Sequence, residues 1–405
     1  MRRRRLLAGA MSLPLLPTVA LAANAAPDAD TASLPDWTEI LAACPDRAIV
    51  ANPAHFRLQI GLTRIDGPTD APRLRHHHYR LDRREWQSPA SLVKLPLAIM
   101  ALERLAALRR AGHAVDLDTP LRLYGAPDCT IWGRNPEPLR RTLTALFAIS
   151  DNPAYNRLYD WLGPAAIHAR FADWGITDAR LWSRFATCPR EAHRVGADWA
   201  FVDADGHVIA AGHADPPYTP AAHPLGRVRF GSAWMEAGRR IDGPADFSER
   251  NHLPLADVHE ILLRLVAPEA FPAGKRYALD PADRQTLLQL MALTPPESRD
   301  PVYAEADYPA HYNRYLFVGG GTRPPPRGLS LAGKVGEAYG FLSDSVYARE
   351  RGDAGLRFAL SAALYVNADD VLNDGGYEYA TQGRPFLAWL GHAVLAALRG
   401  QPLPR

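Results

Sequence analysis

The chain has 405 residues, 47% hydrophobic and 22% charged, with a formal net charge of +2. That composition suits a globular protein with a large core and gives no electrostatic case for a nucleic-acid partner. Three cysteines, Cys44, Cys129 and Cys188, permit one disulfide with one thiol left over, the pairing open, and no Cys/His spacing suggests zinc.

In chain order, Arg2 to Arg5 form a charged stretch, Leu6 to Val19 an apolar one, and Ala20-Leu21-Ala22 a small-residue cleavage pattern. This predicts an export signal over residues 1–22, by the Sec or twin-arginine route, and a periplasmic or secreted mature protein. A segment over 23–49 follows, with a short helix at Trp37 to Ala43. Residues 56–66 alternate apolar and polar at first and predict a strand, with 75–82 as its partner. Leu92, Leu95, Ile99, Leu102 and Leu105 recur at spacings of three and four, which predicts a helix from Ser91 to about Arg110. Further helices are expected at 139–150, 152–162, 255–266 and 281–292, the last with Asp280 as N-cap and Pro281 in its first turn. Asp205-Gly206 between apolar runs predicts a hairpin over 198–212. Strands at 330–340, 341–350 and 356–366 and a helix at 384–399 complete the chain. The pattern predicts an α/β (α+β) fold whose antiparallel sheet is built from both chain ends, with a helical subdomain over about 92–330 between them.

Of 46 Lys plus Arg only three are lysines: Lys94, Lys275 and Lys334. Lysines that survive such a bias toward arginine point to places where a guanidinium cannot serve. Ser91 and Lys94 stand one helical turn apart, which sets an amine against a hydroxyl. A hydroxyl becomes nucleophilic when a base takes its proton, and a lysine whose pKa is depressed can be that base, whereas arginine stays protonated. Ser150-Asp151-Asn152 offers a second hydroxyl and an amide at a junction between helices. Lys334-Val335-Gly336 lies on a strand, where Gly336 would let a ligand approach the backbone.

In "SPASLVK", "SDN" and "GKVG" the chain resembles class A β-lactamases and penicillin-binding proteins, whose motifs S-x-x-K, S-D-N and K-T-G occur in this order. The resemblance extends through "YRLDRREWQSPASLVKLPLAIMAL", "SDNPAYNRLYDWLG" and "GKVGEAYGFLSDSVY", over about residues 50–190 and 250–400. It implies a β-lactamase/transpeptidase-like fold in a single catalytic domain over 50–400, a small-molecule or peptidoglycan-like peptide substrate, a monomeric state, and no cofactor or metal. The implied chemistry is acylation of Ser91 by a β-lactam or related amide, followed by hydrolysis. Lys94 would be the base and Ser150 the donor to the leaving nitrogen. Asn152 and Lys334 would hold the substrate, and the N–H groups of Ser91 and Glu337 would form the oxyanion hole. A penicillin-binding D,D-peptidase, an esterase, or a cell-wall or ligand-binding protein that keeps only the pocket are the alternatives.

The pattern breaks in two places. The family's deacylating glutamate sits in an E-x-x-L-N stretch. Here "ARLWSRFATCPREAHR" occupies that region, with Ala186 aligned to the glutamate; either Glu191, the nearest acid, substitutes as the deacylation base after a local shift, or no such base exists and the acyl-enzyme persists. Val335 replaces the motif threonine, whose hydroxyl would bond a substrate carboxylate. Two extra segments, about 190–250 and 295–315, are expected to reshape the mouth of the site. His76-His77-His78 cannot converge on a metal from one strand, because alternate residues face opposite ways. His259-Glu260 lacks a second histidine one turn on, Gly319 to Gly321 lacks a P-loop lysine and reads as a flexible turn, and no G-x-S-x-G occurs.

Overall fold

A five-stranded antiparallel sheet joins the two ends of the chain, in a computed structural model that describes residues 34, 36–352 and 355–404. The expected export signal lies outside the described residues. Helices α1 (Trp37–Ala42) and α2 (Arg47–Ala51) start on the side chains of Asp36 and Asp46, which accept the free N–H groups of their first turns. Strands β1 (Gln59–Asp66) and β2 (Arg73–Tyr79) pair as expected. A single 3-10 turn, Ala90–Val93, leads into α3 (Lys94–Arg110). The middle of the chain then builds β3 (Pro120–Tyr124), β4 (Glu137–Pro138), α4 (Leu139–Ala148), α5 (Asn152–Leu162) and α6 (Pro164–Trp174). The hairpin is β5 (Asp198–Val202) and β6 (Val208–Gly212). Four short strands follow: β7 (Arg229–Phe230), β8 (Ala233–Glu236), β9 (Arg239–Asp242) and β10 (Ala245–Asp246). Then come α7 (Leu255–Val266), α8 (Pro281–Ala292), β11 (Leu329–Ala338), β12 (Phe341–Glu350), β13 (Arg357–Tyr365), β14 (Val371–Leu372) and α9 (Arg384–Leu398).

The sheet order is β11-β12-β13-β1-β2. One face packs on α1 and α9 through Ile60, Leu62, Leu364, Leu387 and Trp389. The other meets the larger cluster, which holds α3, α5 and α7. Residues 37–51, read from the sequence as a leading segment, therefore belong to the core: Trp37, Ile40 and Leu41 are buried there. Helix α3 departs from the amphipathic expectation. It is buried on nearly every side, Ala98, Met100 and Ala101 included, and so runs through the middle of the molecule.

Register explains the histidine triplet. Ser345, Ser361, Gly61 and His78 stand opposite one another across four strands, with Lys334 opposite Ser345 at the edge. Gly61 leaves room for the His259 ring of α7, whose Nδ1 lies 2.8 Å from Ser361 Oγ and whose Nε2 lies 2.8 Å from Thr63 Oγ1. His76 and His78 share that face, while His77 turns away and stacks on Trp37.

Three further expectations need correction. The middle of the chain is not only helical, since β3 and β4 join the hairpin in a four-stranded sheet. Asp280 stands at the N-cap of α8, but its carboxylate accepts from Arg109 at 2.6 Å instead of from the helix. Gly319 to Gly321 all have positive φ, and Gly319 is pressed against α9 at the Arg384 carbonyl, so the triplet is a packed turn. The cysteines pair as Cys129–Cys188, leaving Cys44 buried and free.

Behind the site, Arg184 and Asp160 form an ion pair with neither side chain exposed, and Trp132 Nε1 donates to the same carboxylate at 2.6 Å. Breaking such a pair strands a buried guanidinium. Asp160→Ala is expected to cost about 3–5 kcal/mol, read as a lower midpoint in chemical denaturation.

Candidate active site

Ser91 is presented by local strain. Ala90 has a φ of 43°, and the Leu92 N–H closes on the Pro89 carbonyl at 2.9 Å, so the chain turns sharply just before α3. This sets Ser91 at the start of a buried helix, with Lys94 on the same side one turn later. Asp151, not Ser150, caps α5: its carboxylate accepts from Ala154 N at 2.8 Å. Ser150 is left in the left-handed region, with φ 58°, and its hydroxyl points into the site.

The three motifs meet. Lys94 Nζ lies 3.0 Å from Ser91 Oγ, 2.8 Å from Asn152 Oδ1 and 3.2 Å from Ser150 Oγ, and it also donates to the Ser150 carbonyl. Lys334 Nζ donates to Ser150 Oγ at 2.8 Å and to the Val335 carbonyl at 2.9 Å. Ser150 Oγ thus bridges the two amines. Among the described residues, neither lysine forms an ion pair with a carboxylate.

Burial dominates the electrostatics. Lys94 is wholly buried and is pushed well below the ordinary lysine range, first by desolvation and then by the charge of Lys334, with Asp151 opposing weakly. Lys334 is brought down to about 7 by desolvation, with Asp344 pulling the other way. Asp344 itself is raised to about 6 by burial, although the N–H groups of Tyr315 and Leu316 donate to it. A neutral Lys94 has two N–H donors and one lone pair. With the donors held by the Ser150 carbonyl and the Asn152 amide oxygen, the lone pair is free to take the Ser91 proton.

Strand β11 brings the third motif against the turn that precedes α3. A Cβ on Gly336 would lie 2.7 Å from Ser343 Oγ and 3.0 Å from the Pro89 carbonyl. Contact between strand and turn alone thus requires glycine at 336. Val335 and Glu337 line the cleft beside Ser91. The Glu337 carboxylate accepts from Tyr315 Oη at 2.9 Å and from Arg384 at 2.7 Å, so its side chain belongs to the wall of the cleft.

Among the described residues, Glu337 is the one carboxylate that lines the cleft. Glu191 pairs with Arg194, is 74% exposed and does not line the cleft. The Phe185 ring instead stands 5.2 Å from Lys94 Nζ, with its backbone clamped by Asn156. The position facing Lys94 is thus Phe185, one residue before Ala186. Of the two extra segments, 295–315 reaches the cleft through Pro309, His311, Tyr312 and Tyr315. No residue of 190–250 lines it; the hairpin pairs with β3 instead. Phe185, Arg384 and His311 escaped the sequence reading because none sits in a motif. Only the proline after Arg384, marking a helix start, hinted at its position.

Sheet, central helix and the three converging motifs define a protein of the serine β-lactamase/transpeptidase-like superfamily. A family model described as the Beta-lactamase enzyme family matches residues 75–386, and the chain belongs to that family. Among solved structures it is similar to a β-lactamase from Desulfarculus baarsii, with 18% identity over 90% of this chain and 97% of that one and a TM-score of 0.49. It is also similar to one from Burkholderia ambifaria, with 15% identity, 88% and 99% coverage and a TM-score of 0.48. No curated protein matches the chain.

A Ser91 acylated with Lys94 as its base would need Lys94 neutral, and an anionic substrate would need Lys334 charged. The rate is expected to rise with pH through the depressed pKa of Lys94 and to fall above about 7 as Lys334 loses its proton. Lys94→Arg, which cannot give up a proton, should be about 10²–10⁴-fold slower. Both follow from intact-mass measurement of acylation against pH.

Proposed function

We propose that this protein is a serine hydrolase whose Ser91 is acylated by a β-lactam or a related amide, and that the acyl-enzyme is released slowly. The contact of Lys94 Nζ with Ser91 Oγ, inside a cage made by Ser150 and Asn152, carries the first half of that reading. Lys94 takes the hydroxyl proton as Ser91 attacks the carbonyl. The developing oxyanion is held by the N–H groups of Ser91 and Glu337, each worth roughly 3 kcal/mol in such sites. Ser150, bonded to both lysines, returns the proton to the leaving nitrogen, and the acyl group stays on Ser91 until water removes it.

Phe185 carries the second half. Hydrolysis of the ester needs a base beside the water, and the face next to Lys94 holds an aromatic ring. Glu337 is the one carboxylate among the described residues lining the cleft, and Tyr315 and Arg384 already engage it. This favours the behaviour of a penicillin-binding D,D-peptidase over rapid turnover. Export of the mature chain is part of the same proposal. It rests on residues 1–22 and is supported by the Cys129–Cys188 disulfide, which suits an oxidising compartment.

Incubation with a chromogenic cephalosporin should give one stoichiometric burst of colour and a lasting mass adduct, absent in Ser91→Ala. Phe185→Glu should shorten the adduct's lifetime. Rapid multiple turnover by the unmodified protein would contradict slow release, and the absence of any adduct or colour would contradict acylation.

A further inference from the structure

The cleft at Ser91, about 520 Å³, is not the largest cavity on this side of the molecule. A second, of about 620 Å³, is lined by Ala310, His311, Arg314, Val318, Leu329 and Leu331, among others. The two share one side chain, His311, and Gly320 lines the first while Gly321 lines the second. The His311 ring lies 3.0 Å from where a Cβ on Gly321 would stand, so ring and glycine form the partition together.

Strand β11 aligns the cavities. Leu329 and Leu331 line the second, and Val335 and Glu337 line the first. These odd-numbered residues share one face of the strand, so the cavities lie end to end along it, with about 13 Å from residue 331 to 335. Direction follows from the chemistry. The oxyanion donor is at 337, and Ser150, which serves the leaving atom, is held by Lys334, nearer the second cavity. The leaving group therefore points toward the second cavity.

Its lining has a definite character. Val318, Pro324, Pro325, Leu329 and Leu331 make it largely apolar. Arg314 is buried there, its guanidinium donating to the carbonyls of Asn313, Met291 and Leu293 instead of to a carboxylate. Arg323 lines the same space. The one acid present, Glu297, is occupied by the N–H and hydroxyl of Thr294. Val335, meanwhile, offers a methyl where a hydroxyl would fix a carboxylate close to Ser91.

From this we infer that the second cavity is a leaving-group subsite of the same cleft, built for an elongated apolar leaving group that bears its anion at the far end, past His311. The inference rests on acylation of Ser91. It places the anionic anchor at Arg323, one cavity beyond the third motif.

The test is a series of thioesters of one N-acylglycine with ω-mercaptocarboxylic acids, from mercaptoacetate to mercaptooctanoate, with thiol release and intact mass both recorded. Ser91 Oγ bonds to the acyl carbon, the carbon–sulfur bond breaks, and the proton that left Ser91 through Lys94 goes out on the thiol by way of Ser150. The specificity constant should climb about tenfold or more from the shortest to the longest acid. Ala310→Trp, which fills the cavity from its exposed rim, and Arg323→Glu, which reverses its charge, should each flatten the climb. A flat series with Ser91 acylated overturns the subsite and leaves acylation standing, as does a climb that both variants preserve. No thiol and no adduct with any ester overturns both.

Discussion

Two lysines buried around one serine hydroxyl set the conditions for everything else at this site. Moving an ammonium out of water costs far more than a hydrogen bond returns, and a second one close by adds repulsion. With Lys94 and Lys334 both on Ser150 Oγ, the low-energy arrangement has one amine neutral. The surroundings choose which. Lys334 has Asp344 to favour its charge, whereas Lys94 is wholly buried and feels the charge of Lys334, with Asp151 only partly opposing. A neutral Lys94 can act as a base, and a charged Lys334 would attract an anion.

The fold holds that arrangement by rigid means. Lys94 begins a helix that is buried on almost all sides, so its position is set by packing along its length. Lys334 lies on the edge strand of a sheet whose register is pinned at one end by the Tyr339-Gly340 turn, where both residues take positive φ. Ser150 depends on the third device, a left-handed residue just before the Asp151 cap. Helix, strand and turn come from distant parts of the chain and meet through close contacts such as Gly336 against the Pro89 carbonyl.

Much of this was legible in the sequence. The scarcity of lysine singled out Lys94 and Lys334, and helical spacing tied Lys94 to Ser91. Alternation located the sheet and explained why the histidine triplet divides between two faces. What stayed hidden depends on tertiary contact. Phe185 carries no motif, and its relation to Lys94 comes from Asn156 gripping its backbone. The contact of Gly336 with the Pro89 carbonyl was also hidden, because close approach to a ligand and close approach to another backbone leave the same mark in a sequence. Asp280 has the composition of a cap but finds a stronger partner in Arg109. The hairpin was recognised from Asp205-Gly206, yet its docking on β3, away from the cleft, depends on a partner strand of only five residues.

A chain with only three lysines permits a direct look at the central charge. Selective carbon-13 labelling of lysine gives three side-chain signals, which Lys275→Arg and Lys334→Arg assign by removal. Lys94 should titrate well below the ordinary lysine range, and Lys334 near 7. A Lys94 signal that keeps its proton up to the usual lysine pKa would contradict the account, since no base would then stand beside Ser91.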